Sequence, residues 1–120
     1  MTAAILRGEV YDARLDPVEG SEQAGTRPVI IVSRNAINSS SSVLLAIPCT
    51  TYRGRHLYPS HTLLRAPEGG LAVDSVAMAE QVRALSKTRL LERRGMINPA
   101  RLALIERGLM LALDLPLGVE

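Results

Sequence analysis

Hydrophobic positions fall into short runs along most of the chain and spread to a helical period only near its end. Residues 8–13, GEVYDA, alternate between apolar and polar as a short strand does. Residues 14–27 have the Asp, Pro, Gly, Ser and Gln content of a loop. The runs VIIVS (29–33) and VLLAIP (43–48) hold β-branched residues between turn signals and predict buried strands. The polar RNAINSSSS between them predicts a connection with room for a turn of helix. TYRGRHLYPS (51–60) predicts a basic loop. HTLLRA (61–66) and DSVAMAEQVRAL (74–85) supply one or two more strands, separated by a PEGG turn. SKTRLLER (86–93), with Ser86 placed as a cap, predicts a short helix.

The closing pattern is the clearest. Asn98 then Pro99 is an N-cap followed by proline in the first turn, which predicts a helix reaching about Leu115 before Pro116. Leu102, Ile105, Leu109 and Leu113 form one apolar stripe, and Leu104, Leu111 and Leu115 form a second on nearly the opposite side. A terminal helix on a small sheet needs one such stripe, so the second predicts another contact, most simply with a second copy of the chain. Some five short strands and one long helix predict an α+β, mainly β fold: a small, strongly curved antiparallel sheet or partly open barrel.

Composition sharpens this picture. At 120 residues one domain is expected, covering 1–120. The core must be aliphatic, since there is no Phe or Trp and only three Tyr. The single Cys49 excludes an internal disulfide and fits a reducing compartment. The apolar stretch before Arg7 is too short for a signal peptide, and no apolar run reaches spanning length, so a cytoplasmic protein without membrane contact is expected. Net charge is +2, but all the cations save Lys87 are arginine, whose planar donor fork matches phosphate and whose face stacks on bases.

Several chemistries are disfavoured. His56 and His61 are not spaced as metal ligands and Cys49 has no CxxC partner, so no metal and no cofactor are expected. A Cys49–His56 nucleophile pair competes poorly with Cys49 as a core residue. PEGG is a turn rather than a phosphate-cradling loop, and Asp16 and Glu19 belong to a solvated loop. What remains is Arg27 in TRP, Glu22 in GSEQ, the PCTT of 48–51 and the basic loop beyond it. An arginine at one strand's start and a threonine hydroxyl at a neighbouring strand's end can converge on an anion.

These stretches together resemble the MazF/PemK family, the ribonuclease toxins of bacterial toxin–antitoxin pairs. The resemblance rests on RGEVYDARLDPVEGSEQAGTRPVIIVS, IPCTT, DSVAMAEQVRALSKTRL and the closing helix, and covers nearly the whole chain. It implies an SH3-like barrel of antiparallel strands with small helices, assembled as a homodimer. It implies metal-independent, sequence-specific cleavage of single-stranded RNA to a 2′,3′-cyclic phosphate and a 5′-hydroxyl. It also implies a MazE-like antitoxin whose acidic C-terminal segment occupies the RNA groove, with DNA contacted only through that antitoxin. Carried over by motif, the catalytic arginine falls on Arg27 and the catalytic threonine on Thr50, while RNA-contacting positions fall on Glu22, Asp74, Ser75, Glu80 and Gln81. Tyr52, Arg53, Arg55, Arg83 and Arg89 are candidates for the groove lining. Because arginine stays protonated, Glu22 and His56 are the better candidates to accept the 2′-hydroxyl proton. Two rival classes share the expected barrel: a gyrase-binding toxin of the CcdB kind, which the absence of Trp in the closing LPLGVE speaks against, and a catalytically silent RNA-binding barrel.

Overall fold

The computed structural model describes residues 4–117. Part of the N-terminal stretch read for a signal peptide, and the last three residues of LPLGVE, lie outside that range. The described residues form strands β1 (Glu9–Arg14), β2 (Thr26–Ile31), β3 (Val43–Thr51), β4 (His61–Leu64), β5 (Ser75–Met78), β6 (Arg83–Ser86) and β7 (Leu90–Met96). Helix α1 (Asn35–Ser40) links β2 to β3, and α2 (Pro99–Leu113) closes the chain. Strand order in the antiparallel sheet is β4-β5-β3-β2-β1-β7, with β6 pairing the first half of β3. β3 is the spine: it pairs β6 through Val43–Ala46, β2 through Ala46–Pro48 and β5 through Cys49–Thr51. The terminal strands β4 and β7 do not pair with each other, so the barrel stays open.

Both faces of the sheet are buried around β2, which is why VIIV (29–32) is continuously apolar rather than alternating, whereas Val43 and Leu45 at the start of β3 and most of β7 stay exposed. Val10, Ile30, Ile47 and Cys49 face one core, closed by Ile105 of α2 and Ile97. Ala13, Val29, Ile31, Leu44 and Ala46 face the other, closed by Leu15 and Leu85 with Val18 packed against them. The parity of these numbers follows the two-residue period of a strand, so they also tell which face every other strand residue presents.

Three expectations shift. β2 starts at Thr26 and β3 runs to Thr51, so Arg27 and Thr50 lie inside strands rather than beside them. SKTRLLER is not a helix. Ser86 does cap, its Oγ accepting from the Thr88 N–H, but only a single 3-10 turn, Lys87–Arg89, follows. From Leu90 the chain becomes β7, because β1 offers a whole open edge there (Ala13↔Leu90, Tyr11↔Arg93, Glu9↔Met96) and ladder pairing outweighs the good but merely local helical propensity of LLER. The closing helix has the expected cap, Asn98 Oδ1 accepting from Arg101 N at 2.9 Å, but ends at Leu113 with Asp114 left-handed at φ 56°. Its inward face is Leu102, Ile105, Gly108 and Leu109. Leu113 is exposed, as is the second stripe of Leu104, Leu111 and Leu115.

The PEGG turn has a packing role beyond reversal. A Cβ on Gly70, whose φ is +76°, would lie 2.1 Å from the Arg94 carbonyl oxygen, and one on Gly95 would lie 2.8 Å from Gly69. The turn is thus clamped directly on the β7 backbone. Gly70→Ala is expected to cost at least about 2 kcal/mol from left-handed strain plus overpacking. Gly54 has the same φ but open space around it, so Gly54→Ala isolates the backbone contribution at about 1 kcal/mol. Thermal melts of the two variants check this; equal losses would remove the clamp.

Candidate active site

β2 and β3 pair with Val29 opposite Pro48, Ile30 opposite Ile47 and Ile31 opposite Ala46. Extending that register by two residues sets Arg27 opposite Thr50. The ladder itself ends at Val29–Pro48, but residues on that register point to the same face, and Arg27 and Thr50 both border one small cavity at the open ends of the two strands. Arg27 is half-buried and its Nε donates to the Ala24 carbonyl at 3.2 Å. That bond orients the guanidinium while its two Nη groups make no hydrogen bond among the described residues. A fork of donors beside a hydroxyl can hold two oxygens of one phosphate.

Pro48 lies two residues before Thr50 on the same face of β3. It lines a cavity of about 490 Å³ together with Glu22, Gln23, Glu80, Gln81 and Arg83. The GSEQ loop is tied to this wall, since Gln23 N donates to Gln81 Oε1 at 2.9 Å. The Gln23 carboxamide oxygen is buried without a partner among the described residues, an acceptor that a bound group would satisfy. Glu22 turns back on its own loop, accepting from Glu19 N at 2.7 Å through one carboxylate oxygen. A smaller cavity of about 190 Å³ opens where β2 and β3 end. Arg27 and Thr50 border it from one face of the sheet, Thr26 and Thr51 from the other, with residues 71–73 and Arg94 opposite them.

The structure distributes the remaining sequence candidates unevenly. Both Glu80 carboxylate oxygens are engaged, by Ser60 Oγ at 2.8 Å and His61 Nε2 at 2.9 Å, so Glu80 fastens the end of the 52–60 loop. Burial pushes the Glu80 carboxyl up, but these hydrogen bonds outweigh it and hold the group below the ordinary glutamate value. Asp74 is likewise occupied, by Ala66 N at 2.9 Å and Arg65 Nη1 at 2.8 Å, which hold its carboxyl below the usual range. Arg65 also sits 5.8 Å over the Tyr52 ring. Ser75 borders the smaller cavity with its hydroxyl donated to Val73 O at 2.8 Å. His56 packs edge-on against Tyr58 at 4.8 Å and, with Arg53 and Arg55, lies on the outer loop away from both cavities. Arg83 lines the larger cavity while one Nη donates to Leu15 O at 3.2 Å; Arg89 is turned to the carbonyls of Arg14 and Asp16 and lines neither cavity. Burial pushes the Cys49 thiol up to about 12, which leaves it a core group rather than a nucleophile. Among the described residues no three His, Cys, Asp or Glu side chains group as a metal site, and no helix is long and apolar enough to cross a membrane.

Arg94 is the residue sequence reasoning missed. Its signal was present in LERRG, but the predicted helix stopped at Arg93 and Arg94 fell in no predicted element, so nothing placed it beside Arg27 and Thr50.

An open antiparallel barrel with an arginine and a threonine at two strand ends, flanked by a glutamine-lined cavity, has the build of a small anion-handling domain. The family model described as PemK-like, MazF-like toxin of type II toxin-antitoxin system matches residues 6–113, and the chain belongs to this family. The chain is 38% identical over 114 residues to Endoribonuclease MazF9 of Mycobacterium tuberculosis, covering 91% of this chain and 96% of that one. It resembles an endoribonuclease solved in complex with its cognate antitoxin from a mycobacterial species, with a TM-score of 0.80 and 30% identity, over 96% of this chain and all 100% of that one. MazF of Deinococcus radiodurans superimposes with a TM-score of 0.82 at 26% identity, over 95% of this chain and 100% of that one.

Proposed function

We propose that this chain is the toxin of a type II toxin–antitoxin system, a single cytoplasmic domain over residues 1–120 that cleaves single-stranded RNA without a metal. The observation that carries the reading is Arg27 and Thr50 bordering one small cavity, with both Nη groups of the arginine making no hydrogen bond among the described residues. The relative named as an endoribonuclease supports it.

The chemistry needs little from the protein. The ribose 2′-oxygen bonds to its own phosphorus and the P–O5′ bond breaks, leaving a 2′,3′-cyclic phosphate and a 5′-hydroxyl. Charge builds on the nonbridging oxygens, where fixed donors act most strongly; Arg27 and the Thr50 hydroxyl supply them. Glu22, whose second carboxylate oxygen is free beside the larger cavity, is better placed than the outlying His56 to take the 2′-hydroxyl proton. The departing O5′ takes its proton from water. Gln81, Gln23 and Arg83 line the space for a neighbouring base. Glu80 and Asp74 act by holding the loops on either side.

Incubating the purified protein with a long RNA in EDTA tests the reading. Discrete fragments with 5′-hydroxyl ends support it. Intact but shifted RNA gives the silent binder instead, and intact, unshifted RNA with inhibited gyrase gives the interaction toxin.

The exposed stripe of α2 supports a homodimer, and a neighbour solved with its antitoxin supports such a partner here. An acidic antitoxin segment and RNA would seek the same arginines. The expected result is mutual exclusion between RNA and an acidic antitoxin peptide, with both affinities falling as salt rises. Competition binding at two salt concentrations checks it; a stable ternary complex would overturn the shared groove.

A further inference from the structure

Arg94 reaches the smaller cavity from β7, on the side of the sheet away from Arg27. Its Nε donates to Asp12 Oδ1 at 2.9 Å, which fixes the plane of the guanidinium and leaves its Nη fork unspent. Its backbone is pinned independently, because Gly70 and Gly95 allow the PEGG turn to close directly onto Arg94 and its neighbour. The hydroxyls of Thr26 and Thr51 border the same cavity and make no hydrogen bond among the described residues. Arg27 and Thr50 form the rim on the near side. One small space therefore joins a donor pair suited to one phosphate to a second arginine, with two open hydroxyls, suited to another.

We infer that Arg94, with Thr26 and Thr51, forms a subsite for an RNA phosphate adjoining the one that is cleaved. The inference rests on the ribonuclease reading of Arg27 and Thr50. A strand threading the gap between the ends of β2 and β3 places successive phosphates on the two rims. Arg94 then acts by binding, equally in the ground and transition states, rather than on the reacting atoms. Asp12 is a positioning residue: it holds the fork and offsets part of the charge.

The test compares wild type, Arg94→Gln, Arg94→Lys, Asp12→Asn and Arg27→Ala on RNA oligonucleotides, with circular dichroism as the fold control. Binding is read on the same oligonucleotides carrying a 2′-deoxy scissile nucleotide, which cannot cleave. Arg94→Gln is expected to raise KM about tenfold with kcat within about twofold, the signature of uniform binding. Its log Kd against log salt slope should become shallower by about 0.7, the loss of one contact on a single strand. Arg94→Lys should keep the slope and recover part of the affinity, and Asp12→Asn should raise KM with the slope unchanged. Shortening the substrate to a single phosphodiester should erase the difference between wild type and Arg94→Gln. Wild-type kinetics and slope for Arg94→Gln, or a loss confined to kcat, would overturn the subsite while an inactive Arg27→Ala still upheld the nuclease. If wild type leaves every RNA intact, the nuclease reading itself falls.

Discussion

Arg27→Ala is expected to abolish RNA cleavage while the protein stays folded. The side chain lies at the open end of β2, half-buried, with its Nε on the Ala24 carbonyl and no other bond within the described residues. Removing it therefore costs the fold about 1 kcal/mol, one net hydrogen bond. Losing a charged fork from a developing phosphorane costs far more, on the order of 1000-fold in kcat when one preorganised donor alone is worth 100–1000-fold. Arg27→Lys should recover little, because an ammonium is a point charge that cannot span two phosphate oxygens. Gel cleavage beside circular dichroism decides the matter. Alanine-variant cleavage near the wild-type rate would remove Arg27 from the chemistry.

Thr50→Val is expected to lose on the order of 10–1000-fold in cleavage rate, the range for one transition-state hydrogen bond, and Thr51→Val much less. Both threonines border the smaller cavity, so proximity alone does not separate them. The strand period does. Thr50 shares its face with Pro48 and, across the strand gap, with Arg27, whereas Thr51 shares its face with Cys49 and Ile47, which point into the core. Valine is nearly isosteric with threonine, so each change removes a hydroxyl without a cavity. Thr51→Val should instead weaken RNA binding if its hydroxyl serves the neighbouring phosphate. Equal rate losses, or the reverse order, would mean the reacting phosphate lies on the Arg94 side.

Much of the fold was legible in the chain because its signals are local. Asn98-Pro99 states a helix start through an orphan N–H that the asparagine side chain satisfies and a proline that needs none. VIIVS and VLLAIP state buried strands through unbroken apolar content. The GSEQ, TRP and PCTT motifs marked Arg27, Thr50 and Glu22 as chemistry in search of a site. Where local preference and tertiary pairing disagreed, the sequence misled: SKTRLLER has the residues of a helix, and only the open edge of β1 turns its LLER into the start of β7.

That single reassignment decides the rest. A helix ending at Arg93 gives Arg93 no partner and leaves Arg94 outside any element; as a strand, the segment pairs Arg93 with Glu9, joins Arg94 to Asp12 and carries Arg94 to the cavity that Arg27 and Thr50 border. Glu80 and Asp74 gained loop-fastening partners that no local pattern shows, since only the folded chain brings Ser60 and His61 to one and Ala66 and Arg65 to the other. The sequence by itself determined which residue types could do the work and where the central strands and the closing helix lie, because propensity, capping and periodicity act over a few neighbouring residues. Tertiary structure alone decided which of those side chains meet, because contacts between β1, β2, β3 and β7 join residues tens of positions apart, and no local pattern encodes that closure.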